Sequence, residues 1–192
     1  MALQPEKRMT VEEYLRMERA SEEKHEFRNG LVHSTPPVDI LENRIRGNVL
    51  AALHGQLKDR GCEALTSQMR VKVPERGWYL YPDVLVVCDP PILEDDFQDT
   101  LLNPMVIVEV ISEATEADDR GIKFDVYRSL ETLREYLMVR KNVVHVEQFV
   151  RAEMDSWDSF QWTSIEEVIP IDSIGCTLAM KRAYEKVNLN RE

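Results

Sequence analysis

The sequence predicts a single α/β domain, and three observations carry that expectation. Leu41, Ile45, Val49, Ala52, Leu53 and Leu57 recur at helical spacing, with Gly61 as a stop. The period then switches to short strand-like runs, Cys62 to Leu65, Gln68 to Val73 and Trp78 to Cys88, the last interrupted by Pro82, which implies an edge, a bulge or two abutting strands. Finally, Met105 to Ile111 is an apolar run broken only by Glu109, as expected of a central strand covered on both faces.

The other elements follow in order. Thr10 with Glu13 forms a capping box that starts a first helix over Val11 to Glu22. His25 to Arg28 and Leu31 to Ser34 read as strands joined by a type I′ turn at Asn29-Gly30. After Cys88, Asp89-Pro90-Pro91 opens an acidic, structureless loop that lasts to Asn103-Pro104. Asp118 to Leu130 reads as a helix with Ile122, Val126 and Leu130 along one face. Glu135 to Val139 and Val143 to Val150 form a second hairpin, Trp157 to Trp162 adds a strand, and Leu178 to Val187 reads as a terminal helix.

A chain of 192 residues is large enough to bury a core without metal or disulfide staples. Three cysteines, Cys62, Cys88 and Cys176, with no CxxC spacing, argue against a disulfide framework and a structural zinc site, and fit a reducing cytoplasm. Neither a signal sequence nor a membrane span is expected. Scattered glycines give no nucleotide-binding loop, and neither HExxH nor GxSxG is present.

The net charge of -11 repels polyanions at long range. Its distribution is uneven. Between Leu41 and Leu80, Arg44, Arg46, Lys58, Arg60, Arg70, Lys72 and Arg76 outnumber four acids, whereas Gly77 to Asp119 holds eleven acids and no Lys or Arg. Most of those acids read as solvated loop residues, but Asp83 and Glu109 adjoin or interrupt apolar strands. An ionised carboxylate there is costly unless paired or metal-bound. Side by side on neighbouring strands, the two would form a notch of hard oxygen donors suited to Mg²⁺ or Mn²⁺. The alternatives are an ion pair between Glu109 and a core cation, and a turn or cap role for Asp83. Lys123 is the candidate cation for phosphodiester chemistry, because Asp119, Lys123 and Tyr127 share one helix face; a surface Asp–Lys pair is the competing reading.

Glu26 within His25-Glu26-Phe27-Arg28-Asn29-Gly30, Tyr81-Pro82-Asp83-Val84, Ile107-Val108-Glu109-Val110-Ile111-Ser112, Thr115, Asp119 to Tyr127 and Leu133-Arg134-Glu135-Tyr136 follow one another in a specific order. Together they resemble the Uma-two family of restriction-endonuclease-like proteins, abundant in cyanobacteria and part of the PD-(D/E)XK nuclease superfamily. The resemblance implies a restriction-endonuclease-like fold, a central mixed β-sheet flanked by helices, with Asp83 and Glu109 as metal acids, Glu26 as an additional acid and Lys123 as a migrated lysine. The superfamily's usual lysine position holds Ile111, relatives' helix-start histidine is replaced in Glu42-Asn43-Arg44, and Ser112-Glu113-Ala114 stands where relatives often carry Ser-Pro-Ser.

The resulting expectation is a cytoplasmic, Mg²⁺- or Mn²⁺-dependent endonuclease hydrolysing DNA with activated water. Arg44, Arg46, Arg70 and Lys72 would contact DNA as a basic strip, Asp119 and Tyr127 would support the site, and a homodimer would serve both strands. The alternative is a catalytically weak or inactive dimeric interaction module that keeps the nuclease fold.

Overall fold

A computed structural model describes residues 8–88, 90–113 and 115–189. Helix α1 spans Val11–Ala20 and α2 spans Ile40–Leu57; the short α3 and α4 cover Phe124–Tyr127 and Met180–Ala183. The strands are β1 His25–Arg28, β2 Leu31–Ser34, β3 Cys62–Thr66, β4 Arg70–Val73, β5 Trp78–Leu80, β6 Val84–Cys88 and β7 Thr100–Leu101. They continue as β8 Val106–Ile111, β9 Glu135–Arg140, β10 Val146–Arg151, β11 Trp157–Trp162, β12 Val168–Ile171 and β13 Cys176–Ala179.

A six-stranded sheet in the order β11-β10-β9-β8-β6-β3 forms the centre. It is mixed, since β8 runs parallel to β9 and antiparallel to β6. A five-stranded sheet, β2-β1-β5-β4-β7, lies beside it, and β12 pairs with β13. The expected α/β class, with mixed sheets flanked by helices, is the observed one.

Alternation along β6 and β8 divides the core. Val84, Val86, Val106, Val108 and Val110 pack with Ile45, Val49, Leu53 and Leu57 of α2. Leu85, Val87, Ile107 and Ile111 face the other way, toward Phe124, Val126 and Tyr127. Each large aliphatic side chain buried here contributes roughly 1.5–3 kcal/mol. Glu109 falls on the second face, in step with Ile107 and Ile111.

Local rules explain the N-terminal layer. Thr10 Oγ1 accepts from the Glu13 N–H at 3.2 Å, and Glu13 Oε2 accepts from the Thr10 N–H at 2.9 Å. Asn29 and Gly30 both take positive φ, 52° and 87°, as the two-residue turn demands. Phe27 stacks on Tyr14 with ring centroids 4.9 Å apart and meets Tyr79 edge-on. Burying Phe27 there turns its neighbour Glu26 to the opposite face of β1.

Several expectations need correction. Helix α1 ends two residues early, and α2 stops before a left-handed Asp59 (φ 68°) rather than at Gly61. The run from Trp78 to Cys88, by contrast, is two strands, one of the outcomes that Pro82 implied, and Tyr81-Pro82-Asp83 carries the chain from one sheet to the other. The acidic loop contains β7, and three of its acids are compensated by cations distant in sequence: Arg19 binds Asp95 and Asp99, Lys72 binds Glu94, and Arg70 binds Asp99. The terminal helix shrinks to Met180–Ala183 because pairing with β12 recruits Cys176–Ala179 as a strand. Ile122 is 52% exposed, off the face it was assigned, because the helix from Asp118 begins as a wider π-helical turn. Cys62 and Cys88 are joined as a disulfide, directly opposite across β3 and β6 with Cα atoms 4.0 Å apart. Only strand pairing brings them together, and no spacing motif marks them. Cys176 is a buried free thiol. Among the described residues no helix is long and apolar enough to cross a membrane.

Asp99 anchors the acidic loop. Partial burial pushes its carboxyl up, but hydrogen bonds from Arg19 and the charge of Arg70 prevail and hold it near pKa 2. A carboxylate with a depressed folded pKa stabilises the fold above its unfolded value of about 3.9 and loses that effect as pH falls toward 2. Asp99→Asn is therefore expected to lower the melting temperature by about 2–4 °C at pH 7 and by less at pH 2, read by circular dichroism.

Candidate active site

Antiparallel register assembles the site. Val84 pairs with Val108, which sets Asp83, one residue earlier, opposite Glu109, and directly opposed residues project to the same face. Both are nearly inaccessible, 6% and 3% exposed. Asp83 Oδ2 accepts the Val110 N–H at 2.6 Å, and its Oδ1 lies 2.6 Å from Arg46 of α2. Burial lifts the Asp83 carboxyl to about 6 despite Arg46. Burial also raises Glu109 well above the usual carboxylate range, opposed by Lys123 and reinforced by Asp83, Asp119 and Glu26.

Lys123 sits at the centre. Its Nζ is 3.1 Å from Asp119 Oδ1, 3.3 Å from Glu26 Oε1 and 3.4 Å from Glu109 Oε1. Burial alone would depress its pKa, yet the surrounding Glu109, Glu26, Asp119 and Asp83 hold it well above the ordinary lysine value. The residue arrives on the π-helical turn Asp118–Lys123, where the Phe124 N–H donates to the Asp119 carbonyl five residues back. Tyr136 of β9 donates to the same carbonyl at 3.0 Å, pinning the turn to the sheet. The Tyr127 hydroxyl lies 3.4 Å from Glu109 Oε1.

Glu26 reaches the cavity from β1, where Oε1 accepts from the Tyr81 N–H at 3.4 Å and Oε2 lies 2.5 Å from Arg28. Arg28 also binds Asp118 at 2.7 Å. The cavity, about 350 Å³, is lined by six carboxylates (Glu26, Glu42, Asp83, Glu109, Asp118, Asp119) against four cations (Lys24, Arg28, Arg46, Lys123). With every carboxylate ionised, the lining would be short of positive charge by two, the charge of one divalent ion. The donors are hard oxygens of the kind Mg²⁺ and Mn²⁺ prefer, so the residues fit such an ion in chemistry and in charge. Among the described residues no three potential ligands already converge as a metal shell would; Lys123 and Arg46 stand between them.

The structure thus brings Glu26, Asp83, Glu109, Lys123, Asp119 and Tyr127 into one place. The four residues of the basic strip fare differently. Arg70 is 2% exposed and bound to Asp99 and Thr100, so it cannot meet a nucleic acid; its partners lie some thirty residues on and arrive with β7. Lys72 is committed to Glu94, 2.5 Å away, and lies over the Tyr79 ring. Arg44 is exposed, donating to the Lys186 carbonyl, and does not line the cavity; Arg46 does. Sequence reasoning missed Arg28, Lys24 and Asp118 as cavity residues. Arg28, two residues after Glu26 on one strand face, carried the available signal.

Residues 11–180 match the profile of the Uma2 family, described as "Putative restriction endonuclease". The chain belongs to this family. Two Synechocystis sp. proteins of the same likeness are called uncharacterized: sll1609, 32% identical over 82% of this chain and 89% of that protein, and slr1290, 28% identical over 94% and 93%. A solved structure from Anabaena variabilis, titled a putative nuclease belonging to DUF820, superposes with a TM-score of 0.74 over 94% of this chain and 99% of that one. At 14% identity that likeness is one of fold. All the cavity acids, with Lys123 and Arg46, fall inside the span matched to Uma2.

Removing the central cation leaves uncompensated buried acids, which costs about 3–5 kcal/mol. Lys123→Met is expected to lose that much stability in urea denaturation at pH 8. The loss should shrink near pH 5, because acids with raised folded pKa values take up protons there and favour the folded state.

Proposed function

We propose that this chain is a metal-dependent endonuclease that hydrolyses DNA phosphodiester bonds at the cavity where Asp83, Glu109, Glu26 and Lys123 meet. The observation that carries this reading is the opposition of two buried acids beside a buried lysine, in a cavity lined by six carboxylates and four cations. The family description and the Anabaena neighbour's title support a nuclease.

Asp83 and Glu109 are the residues that would hold Mg²⁺ or Mn²⁺, with Glu26 as a further oxygen donor. When bound, the ion supplies Lewis acidity at the phosphoryl oxygen and lowers the pKa of the attacking water. Lys123 orients that water and stabilises the charge that builds on the pentacovalent phosphate. Glu26 and Asp119 hold the ammonium in position, and Tyr127 steadies the Glu109 carboxylate. By analogy of fold, a second copy would bring an equivalent site to the opposite strand.

One observation favours the competing reading, an inactive dimeric module: Arg46 already neutralises Asp83, and Lys123 lies beside Glu109. Supercoiled plasmid separates the two. The endonuclease nicks it in Mg²⁺ or Mn²⁺, and Asp83→Asn or Lys123→Met slows nicking by about 10²–10³-fold. Ca²⁺ should leave a gel shift that weakens steeply with salt. Neither nicking nor a shift at low salt would leave the module standing.

A further inference from the structure

Asp83 has two carboxylate oxygens, and both are taken. Oδ2 accepts the Val110 N–H within the sheet, a bond fixed by backbone position and 2.6 Å long. Oδ1 faces the Arg46 guanidinium at 2.6 Å. A cation approaching Asp83 therefore meets the sheet amide at Oδ2 and the positive charge of Arg46 at Oδ1. Three further observations describe how that occupancy is held. The same guanidinium is bound by Glu42, one turn earlier on α2, so it remains tethered if it leaves Asp83. Its Nε is buried without a hydrogen-bond partner, so this position leaves part of its donor capacity unused. Arg46 and Glu42 both line the cavity that holds the acids.

Resting on the metal-dependent reading above, we infer that Arg46 is an internal competitor for the divalent-ion position and that it sets the cation affinity of the site. In the ion-free protein the guanidinium substitutes for missing positive charge at Asp83. Entry of a divalent ion exchanges a singly charged partner for a doubly charged one at Oδ1. The released guanidinium stays on α2 beside Glu42, in the wall of the cavity, as a cation for an anionic ligand. The site thus trades affinity for metal alone against a charge it can redirect, and Arg46 acts as a positioning residue through Asp83.

The test is isothermal titration of Mn²⁺ alone into the full chain, comparing wild type with Arg46→Met and Arg46→Gln. Circular dichroism checks that each variant folds, and both replacements are adequate helix formers. The expected result is Mn²⁺ binding at least tenfold tighter in both variants, and its disappearance when Asp83→Asn is added. Structural damage from losing an ion pair would weaken binding instead, so a gain is diagnostic. Binding in wild type that is unchanged or weaker in the folded variants overturns the inference and leaves the metal reading intact. Tight binding that survives Asp83→Asn overturns the inference by placing the ion elsewhere. No binding in any folded form overturns this inference and the metal reading together.

Discussion

Asp83 and Glu109 oppose one another across β6 and β8, with little access to water. Two like charges so placed repel strongly and are poorly solvated, so the surrounding structure must supply cations, protons or both. Much of the local architecture answers that demand. The π-helical turn delivers Lys123 to within 3.4 Å of Glu109, Tyr136 fixes the turn, and α2 brings Arg46 to Asp83. Because the lysine must also accommodate Glu26 and Asp119, the cavity still lacks positive charge. The electrostatic requirement that makes this region hard to fold is the same one that makes it receptive to a divalent ion.

Two sheets meet at Tyr81-Pro82-Asp83. Pro82 removes a backbone donor where the chain leaves one ladder for the other, so no sheet hydrogen bond is lost there. The switch puts Asp83 at a strand end, open to a cavity, while Leu85 and Val87 continue into the core. On the opposite wall, stacking of Phe27 against Tyr14 sends Glu26 into the same space. Glu26 and Glu109 come from β1 and β8 and Asp83 from the residue before β6, and each is positioned by an apolar neighbour whose burial leaves it only one direction.

Membership of Uma2 puts this arrangement in a family described as "Putative restriction endonuclease", and the Anabaena variabilis structure shares its fold. The net charge of -11 sits uneasily with a polyanionic ligand. Little of it comes from the 94–99 loop, where Glu94, Asp95 and Asp99 are bound to Arg19, Arg70 and Lys72. Arg70 and Lys72 looked available in the sequence because their partners are remote in the chain.

By itself the sequence determined what short-range chemistry controls: the Thr10 cap, the Asn29-Gly30 turn, the long helix α2, the apolar strand around Glu109 and the sequence spacing of Asp119, Lys123 and Tyr127. Tertiary structure decided what depends on pairing between distant segments. It opposed Asp83 to Glu109, joined Cys62 to Cys88, buried Arg70 against Asp99, widened the turn before Phe124 and set Arg46 on Asp83. Periodicity records which face of an element is apolar, because that is a local property of helix and strand geometry. A charge's partner is set by strand register and helix placement, which local sequence patterns do not encode.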